Sequence, residues 1–185
     1  MLYSMVQAGS MGIPFIPTLG YAGSDVIKRR PDDFTIVANP FDPDERIVVA
    51  KAINPDVGIF HGLKADRAGN VLLRKGGEEL LLIQASRKVI VTVEELVDKV
   101  DPEVSGARFI PPLYITAVVH VPFGAHPTGA PGYYGADDER LREYMANSTC
   151  DETFGAYLDK YVFEPGSHDG YLEHVGLGRV GSLAP

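Results

Sequence analysis

The chain has few of the residues that would stiffen it covalently or send it to a membrane or a nucleic acid. Its 185 residues include one cysteine, Cys150, and no tryptophan. A single thiol excludes an internal disulfide, and so little cysteine points to a reducing compartment, so a cytoplasmic protein is expected. Cys150 lies in NSTCDE, where neighbouring carboxylates disfavour a thiolate nucleophile. No apolar run approaches the ~18 residues that span a bilayer. The start, MLYSMVQAGSMGIPF, lacks the basic segment of a secretory signal. Basic residues are outnumbered: 17 Lys and Arg against 25 Asp and Glu leave a formal net charge of −8. Phosphate backbones need a basic face, so no nucleic-acid partner is expected. The one basic cluster, Lys28-Arg29-Arg30, runs into Pro31-Asp32-Asp33 and reads as a solvated turn.

Several kinds of chemistry are missing as well. No serine sits in the G-x-S-x-G turn that lifts a hydroxyl above an α/β sheet. His120 and His126 are six residues apart, as are His168 and His174, and neither pair has the spacing that puts two imidazoles on one ion. No metal site is expected, and His120, ending a strand, reads as a structural histidine. Gly76-Gly77 and the glycines of GYAGSD fall short of a phosphate-binding loop. Glu94-Glu95, in VIVTVEELV, reads as the start of a helix, where carboxylates favour the N-terminal dipole.

What is present is an alternation of strand and helix signals. Runs rich in β-branched residues fall at Ile13 to Pro17, Thr35 to Ala38, Arg46 to Ala50, Val57 to His61, Val71 to Leu73, Lys88 to Val93 and Tyr114 to Val121. Several are apolar on both faces, which suits strands covered on both sides. Helices are expected over Leu2 to Met11, Glu78 to Ser86 and Val93 to Val100. The fold class that follows is α/β: an open, mostly parallel sheet with helices on both faces. After Pro122 a turn-rich loop leads to a helical C-terminal extension: Asp137 to Asn147 with a capping Asp137, Glu152 to Tyr161, and Asp169 to Val175. Residues 1–176 read as one domain and 177–185 as a flexible tail.

Two loops suggest function. In HGLKADRAGNVLLRK, Gly69-Asn70 suits a turn with positive φ, and Asp66 can close it on backbone amides. Such a loop is either a plain connection or something presented at a strand end. The loop FGAHPTGAPGYYG is long, glycine-rich and aromatic, and loops of that kind bind or gate, so His126 is a candidate for lining a site.

Taken in order, GIPFIPT with GYAGSD, PDVGIFHGLKADRAGNVLLRK, ASRKVIVTVEELVD and IPPLYITAVVHVPFGAHP resemble the A subunit of family I coenzyme A-transferases. The most specific part is KADRAGN followed by a strand and VIVTVEELV. The segments GYYGADDERLREYM, STCDETFGAYLDKYV and YLEHVG resemble the C-terminal extension of the glutaconate-type subfamily. The resemblance runs from Met1 to about Gly176. It implies a ping-pong reaction in which a glutamate carboxylate attacks an acyl-CoA thioester, carries CoA as a glutamyl thioester, and passes it to a second carboxylate. That glutamate belongs to the B subunit, so no catalytic residue is expected here, Glu94 and Glu95 included. CoA enters as part of the substrate, and no separate cofactor is implied.

The resemblance also implies a hetero-oligomer with a B subunit. It implies substrate-binding loops at one sheet edge facing that partner: Thr18, Gly20 and Tyr21 after the first strand, Asp66, Gly69 and Asn70 after the strand ending at His61, and His126 after the last long strand. The family's A subunits carry a further upstream segment with a glycine-rich stretch and a Gln-Gly or Glu-Gly pair, so this chain is expected to correspond to their C-terminal part. Three readings stay open: a transferase subunit, an acyl-CoA hydrolase subunit in which water replaces the acceptor, and a catalytically silent partner that stabilises a B subunit.

Overall fold

A computed structural model describes residues 2–18 and 20–183. In order, the elements are α1 (Leu2–Ser10), β1 (Phe15–Thr18), α2 (Asp25–Arg29), β2 (Phe34–Asn39), β3 (Asp42–Lys51), β4 (Val57–Asp66), β5 (Val71–Arg74), α3 (Glu79–Ala85), β6 (Lys88–Val97), β7 (Ala107–Ile110) and β8 (Ala117–His120). Then come α4 (Asp138–Asn147), α5 (Asp151–Leu158), a π-helical turn over Asp159–Phe163, α6 (His168–Val175) and α7 (Leu177–Ser182). Where one domain is expected from sequence, the chain divides into two compact units. One is Met1–Phe60, Gly76–Ile90 and Leu113–Ala117; the other is His61–Lys75, Val91–Pro112 and Val118–Pro185.

The first unit contains a three-stranded antiparallel sheet in the order β1-β3-β2. Its core joins Met5 of α1 to Phe34, Val48 and Ala50, with Ile16, Ile27 and Ile53 packed around them. Helix α1 lies close to the backbone beyond β3, because Gly9 has no side chain. A β-carbon at Gly9 would come within 2.1 Å of the Ile53 carbonyl oxygen. The main-chain bond from Ile53 N–H to Met5 O, at 2.9 Å, depends on the same approach.

The second unit holds most of a five-stranded sheet in the order β7-β5-β4-β6-β8. Its direction is mixed, which revises the mostly parallel order expected. Strands β4 and β6 run the same way: Lys88 N–H bonds to Asp56 O at their starts, and His61 faces Thr92 and Glu94 farther along. Strands β6 and β8 also run together, through Thr116 N–H to Val89 O and then Val121 N–H to Val93 O. Strands β4–β5 and β5–β7 are antiparallel. The turn between Asp66 and Asn70 is too short for a crossover, so β5 must return beside β4. Gly69 takes φ +85° there, as its turn is expected to require.

Two further expectations are corrected. No helix begins at Val93; β6 continues to Val97. Residues 177–182, expected in a flexible tail, form α7, in which Val180 is buried beside Tyr161, Leu172 and Val175. The cap at Asp137 is as expected, its carboxylate accepting the amides of Glu139 and Arg140. No described helix is long and apolar enough to cross a membrane.

Gly9→Ala tests the packing of α1. Alanine favours a helix over glycine by about 0.8–1 kcal/mol, but overpacking against rigid backbone costs about 1–3 kcal/mol or more. The clash should win, lowering the thermal midpoint by roughly 2–8 °C. Gly155→Ala in α5, where a β-carbon meets nothing within 4 Å, should hold or raise it. Equal shifts in the two variants would mean that α1 does not rest on the Ile53 backbone.

Candidate functional site

Successive side chains of a strand point to opposite faces of the sheet. Glu94 and Glu95, adjacent in β6, are therefore separated, and two adjacent tyrosines of the long loop take one each. Tyr134 donates its hydroxyl to Glu94 Oε1 at 2.6 Å, and Tyr133 donates to Glu95 Oε2 at 3.0 Å.

The Glu94 side chain is only 3% exposed, and all its partners lie in the second unit. His61 Nε2 lies 2.5 Å from Oε1, and the Phe123 amide donates to Oε2 at 2.6 Å. The other ring nitrogen of His61 is 2.8 Å from Thr92 Oγ1. Burial works to raise the Glu94 pKa, but the bonds from His61, Tyr134 and Phe123 outweigh it and hold the carboxyl below its ordinary value. Burial, then the bond to Glu94, pushes the Tyr134 hydroxyl well above its usual range, so it remains a donor. That hydroxyl also accepts the Ala125 amide at 2.9 Å.

The loop beyond β8 is thus fastened as it begins. Phe123 takes φ +59°, a conformation that costs a non-glycine residue about 1–2 kcal/mol. Its amide bond to Glu94 and its ring contact with Tyr134, at 4.9 Å between centroids, hold it there. A β-carbon at Gly124 would lie 2.7 Å from the His61 ring, so only glycine lets the chain pass. His120 is satisfied structurally, its Nε2 lying 3.1 Å from the Glu94 carbonyl oxygen.

A second knot closes the far end of the loop. The His126 side chain is fully enclosed, with Nδ1 at 2.7 Å from the Tyr171 hydroxyl and Nε2 at 3.3 Å from Asp137 Oδ2. Arg179 grips Asp137 with two bonds of 2.6 Å. That guanidinium above all drives the Asp137 carboxyl far below its ordinary range. Burial lowers the His126 pKa, and the neighbouring Asp137 only partly opposes it. His126 therefore presents no open edge to a ligand within this unit and acts as a tie between the loop and α6.

Asp66 is also buried. Its carboxylate accepts the amides of Ala68, Asn70 and Val100, each at 3.0 Å, and the side-chain amide of Asn70 at 2.8 and 3.1 Å. Burial favours the acid form, but these five bonds prevail and lower the pKa. Asp66 closes the turn, and Gly69 lets it pass against Pro112, whose Cβ would stand 3.2 Å from a β-carbon at residue 69. The three residues form one turn, and His126 belongs to the same unit. Thr18, Gly20 and Tyr21 belong to the other unit: Thr18 Oγ1 donates to the Gly20 carbonyl at 3.0 Å, and Tyr21 is exposed with φ +71°. Leu19, between them, lies outside the described residues.

Residues 1–120 match the family described as Coenzyme A transferase. The chain is 37% identical, over 84% of its length, to the A subunit of a 3-oxoadipate CoA-transferase from Pseudomonas knackmussii, of which it covers 54%. It is 32% identical, over 98% of its length, to the A subunit of a glutaconate CoA-transferase from Acidaminococcus fermentans, of which it covers 62%. The crystal structure of glutaconate coenzyme A-transferase from Acidaminococcus fermentans superposes on all of this chain with a TM-score of 0.86 at 30% identity, covering 63% of that chain. The chain thus spans somewhat under two thirds of the length of these relatives.

Glu94→Gln removes one acceptor and turns an amide donor toward groups that already donate, so it should cost about 2–4 kcal/mol. Combined with Tyr134→Phe, the loss should be less than the sum of the two single losses, and strictly additive losses would show that the two groups do not share a bond. For His126 the sign follows from its depressed folded pKa. The unfolded chain takes up the proton first, near its ordinary pKa of ~6.5, so the contribution is complete above that pH and is lost as pH falls. Thermal midpoints measured from pH ~8 to ~5.5 should fall more steeply for the wild type than for His126→Asn. Parallel slopes would mean that His126 is not held neutral.

Proposed function

The chain belongs to the coenzyme A transferase family, and we propose that it is the A-subunit portion of a CoA-transferase. It works with a B subunit to move CoA between an acyl-CoA and a carboxylic acid. The observation that carries this reading is the likeness of the whole chain to a transferase named for that reaction. The relatives are named as A subunits, which supports a B-subunit partner and a hetero-oligomer. A cytoplasmic location fits the single, exposed, unpaired Cys150.

The geometry supports a nucleophile supplied by the partner. The most deeply buried glutamate, Glu94, has both oxygens committed to donors in its own unit. A carboxylate held by three donors and only 3% exposed is screened from a thioester and acts as a structural acceptor. A glutamyl-CoA thioester on the B subunit is consistent with this arrangement. Within that scheme Thr18, Gly20 and Tyr21 are proposed as substrate-binding loop residues of the first unit, and Asp66, Gly69, Asn70 and His126 as residues that hold the substrate-binding loops of the second.

The experiment mixes the purified chain with a CoA-transferase B subunit, supplies an acyl-CoA and acetate, and follows both acetyl-CoA and free thiol. The chain alone should give neither product, and the mixture should give acetyl-CoA without stoichiometric thiol. Full turnover by the chain alone would overturn the need for a partner. Free thiol in place of acetyl-CoA would make the chain part of a hydrolase. A stable, inactive complex would make it a silent partner.

A further inference from the structure

A cleft of about 520 Å³ opens on the face of the second unit's sheet opposite Glu94. The strand register accounts for its floor. Lys64 pairs with Leu72 across β4–β5, and Arg74 pairs with Ala107 across β5–β7, so these four side chains share one face. Val104 and Pro131 complete an apolar wall.

The polar groups of the cleft are unevenly matched. Lys64 Nζ lies 2.8 Å from Glu95 Oε2, and Tyr133 donates to that same oxygen. Lys64 and Glu95 thus neutralise each other. Arg74 is left over: among the described residues its side chain has no ion-pair or hydrogen-bond partner. Two cations against one carboxylate leave the lining with one positive charge, carried by a planar guanidinium beside an apolar floor. A guanidinium with free N–H donors binds a carboxylate through two parallel bonds. Pockets with apolar walls and a few placed polar groups take small organic ligands.

We propose that this cleft binds a small monocarboxylic acid, with the carboxylate on Arg74 and the apolar body over Leu72 and Ala107. The anchored Lys64–Glu95 pair forms its polar rim. The inference does not depend on the transfer reaction, because its test measures binding to the chain itself.

The test titrates the full chain with hexanoate and follows the methyl NMR signals of Leu72 and Val104. Hexanoate should move these signals saturably. 1-Hexanol, which lacks the charge, and acetate, which lacks the body, should each bind at least roughly tenfold more weakly. Arg74→Gln, at an exposed strand end, should weaken hexanoate by a similar factor while leaving the rest of the spectrum in place. Ala107→Leu, which fills the floor, should do the same by steric means. The proposal is overturned if hexanoate does not saturate, if it moves other methyls instead, if Arg74→Gln binds as the wild type does, or if hexanol matches hexanoate.

Discussion

The second unit depends on one buried carboxylate. Glu94 faces a histidine from β4, a tyrosine from the loop and the amide of a residue with positive φ, and no single one of these would justify placing a charge there. Removing a carboxylate from water costs several kcal/mol, and an unpaired one would be expelled or protonated. Three donors together make the site favourable, and in return they fix where the loop leaves β8. The glycine-rich segment that looks loose in sequence is therefore held at both ends: by Glu94 and Tyr134 as it begins, and by His126, Asp137 and Arg179 as it enters α4.

The two buried acids at these ends are satisfied differently. Glu94 relies on neutral donors and a histidine, whereas Asp137 faces a bidentate guanidinium and caps a helix besides. Charge-assisted, bidentate bonds are the stronger kind, and the Arg179 guanidinium holds the Asp137 carboxyl far below its ordinary range. The extension after Pro122 is tied to the sheet by the polar bonds of Phe123, Tyr133 and Tyr134 to Glu94 and Glu95, while its apolar cluster of Tyr161, Leu172, Val175 and Val180 holds its own helices together. That suits helices whose surfaces are rich in charge.

Much of this is legible in the sequence. Strands apolar on both faces, such as VIVTV and ITAVVHV, imply parallel neighbours, and β4, β6 and β8 do run together. The antiparallel pairing of β5 with β4 is also implied, because the four-residue connection Arg67–Asn70 leaves no room for a crossover; strand composition alone conceals it. Asp66 and Gly69 can be read directly because a turn is local chemistry. Glu94 cannot, because an acidic pair after an apolar run suits a helix start as well as a strand. What decides between them, His61 and Tyr134, lies more than thirty residues away on either side. His126 looks like a site-lining residue for a similar reason: its partners Tyr171 and Asp137 come from helices that the loop sequence does not announce.

The matched pairs Glu94-Glu95 and Tyr133-Tyr134 also bear on folding fidelity. A β-strand that slips by one residue exchanges its two faces, and in most strands with apolar residues on both sides, as in VIVTV, such an error would go almost unpunished. Here a slip of β6 would turn Glu95 toward the His61 pocket and swing Glu94 to the Lys64 side. Glu95 would then meet Tyr134 while Leu96 took its place opposite Tyr133, leaving that hydroxyl and Lys64 without their acceptor. Consecutive acids read by consecutive phenols thus act as an alignment key, making the one correct pairing of an otherwise ambiguous hydrophobic strand distinguishable from its neighbours.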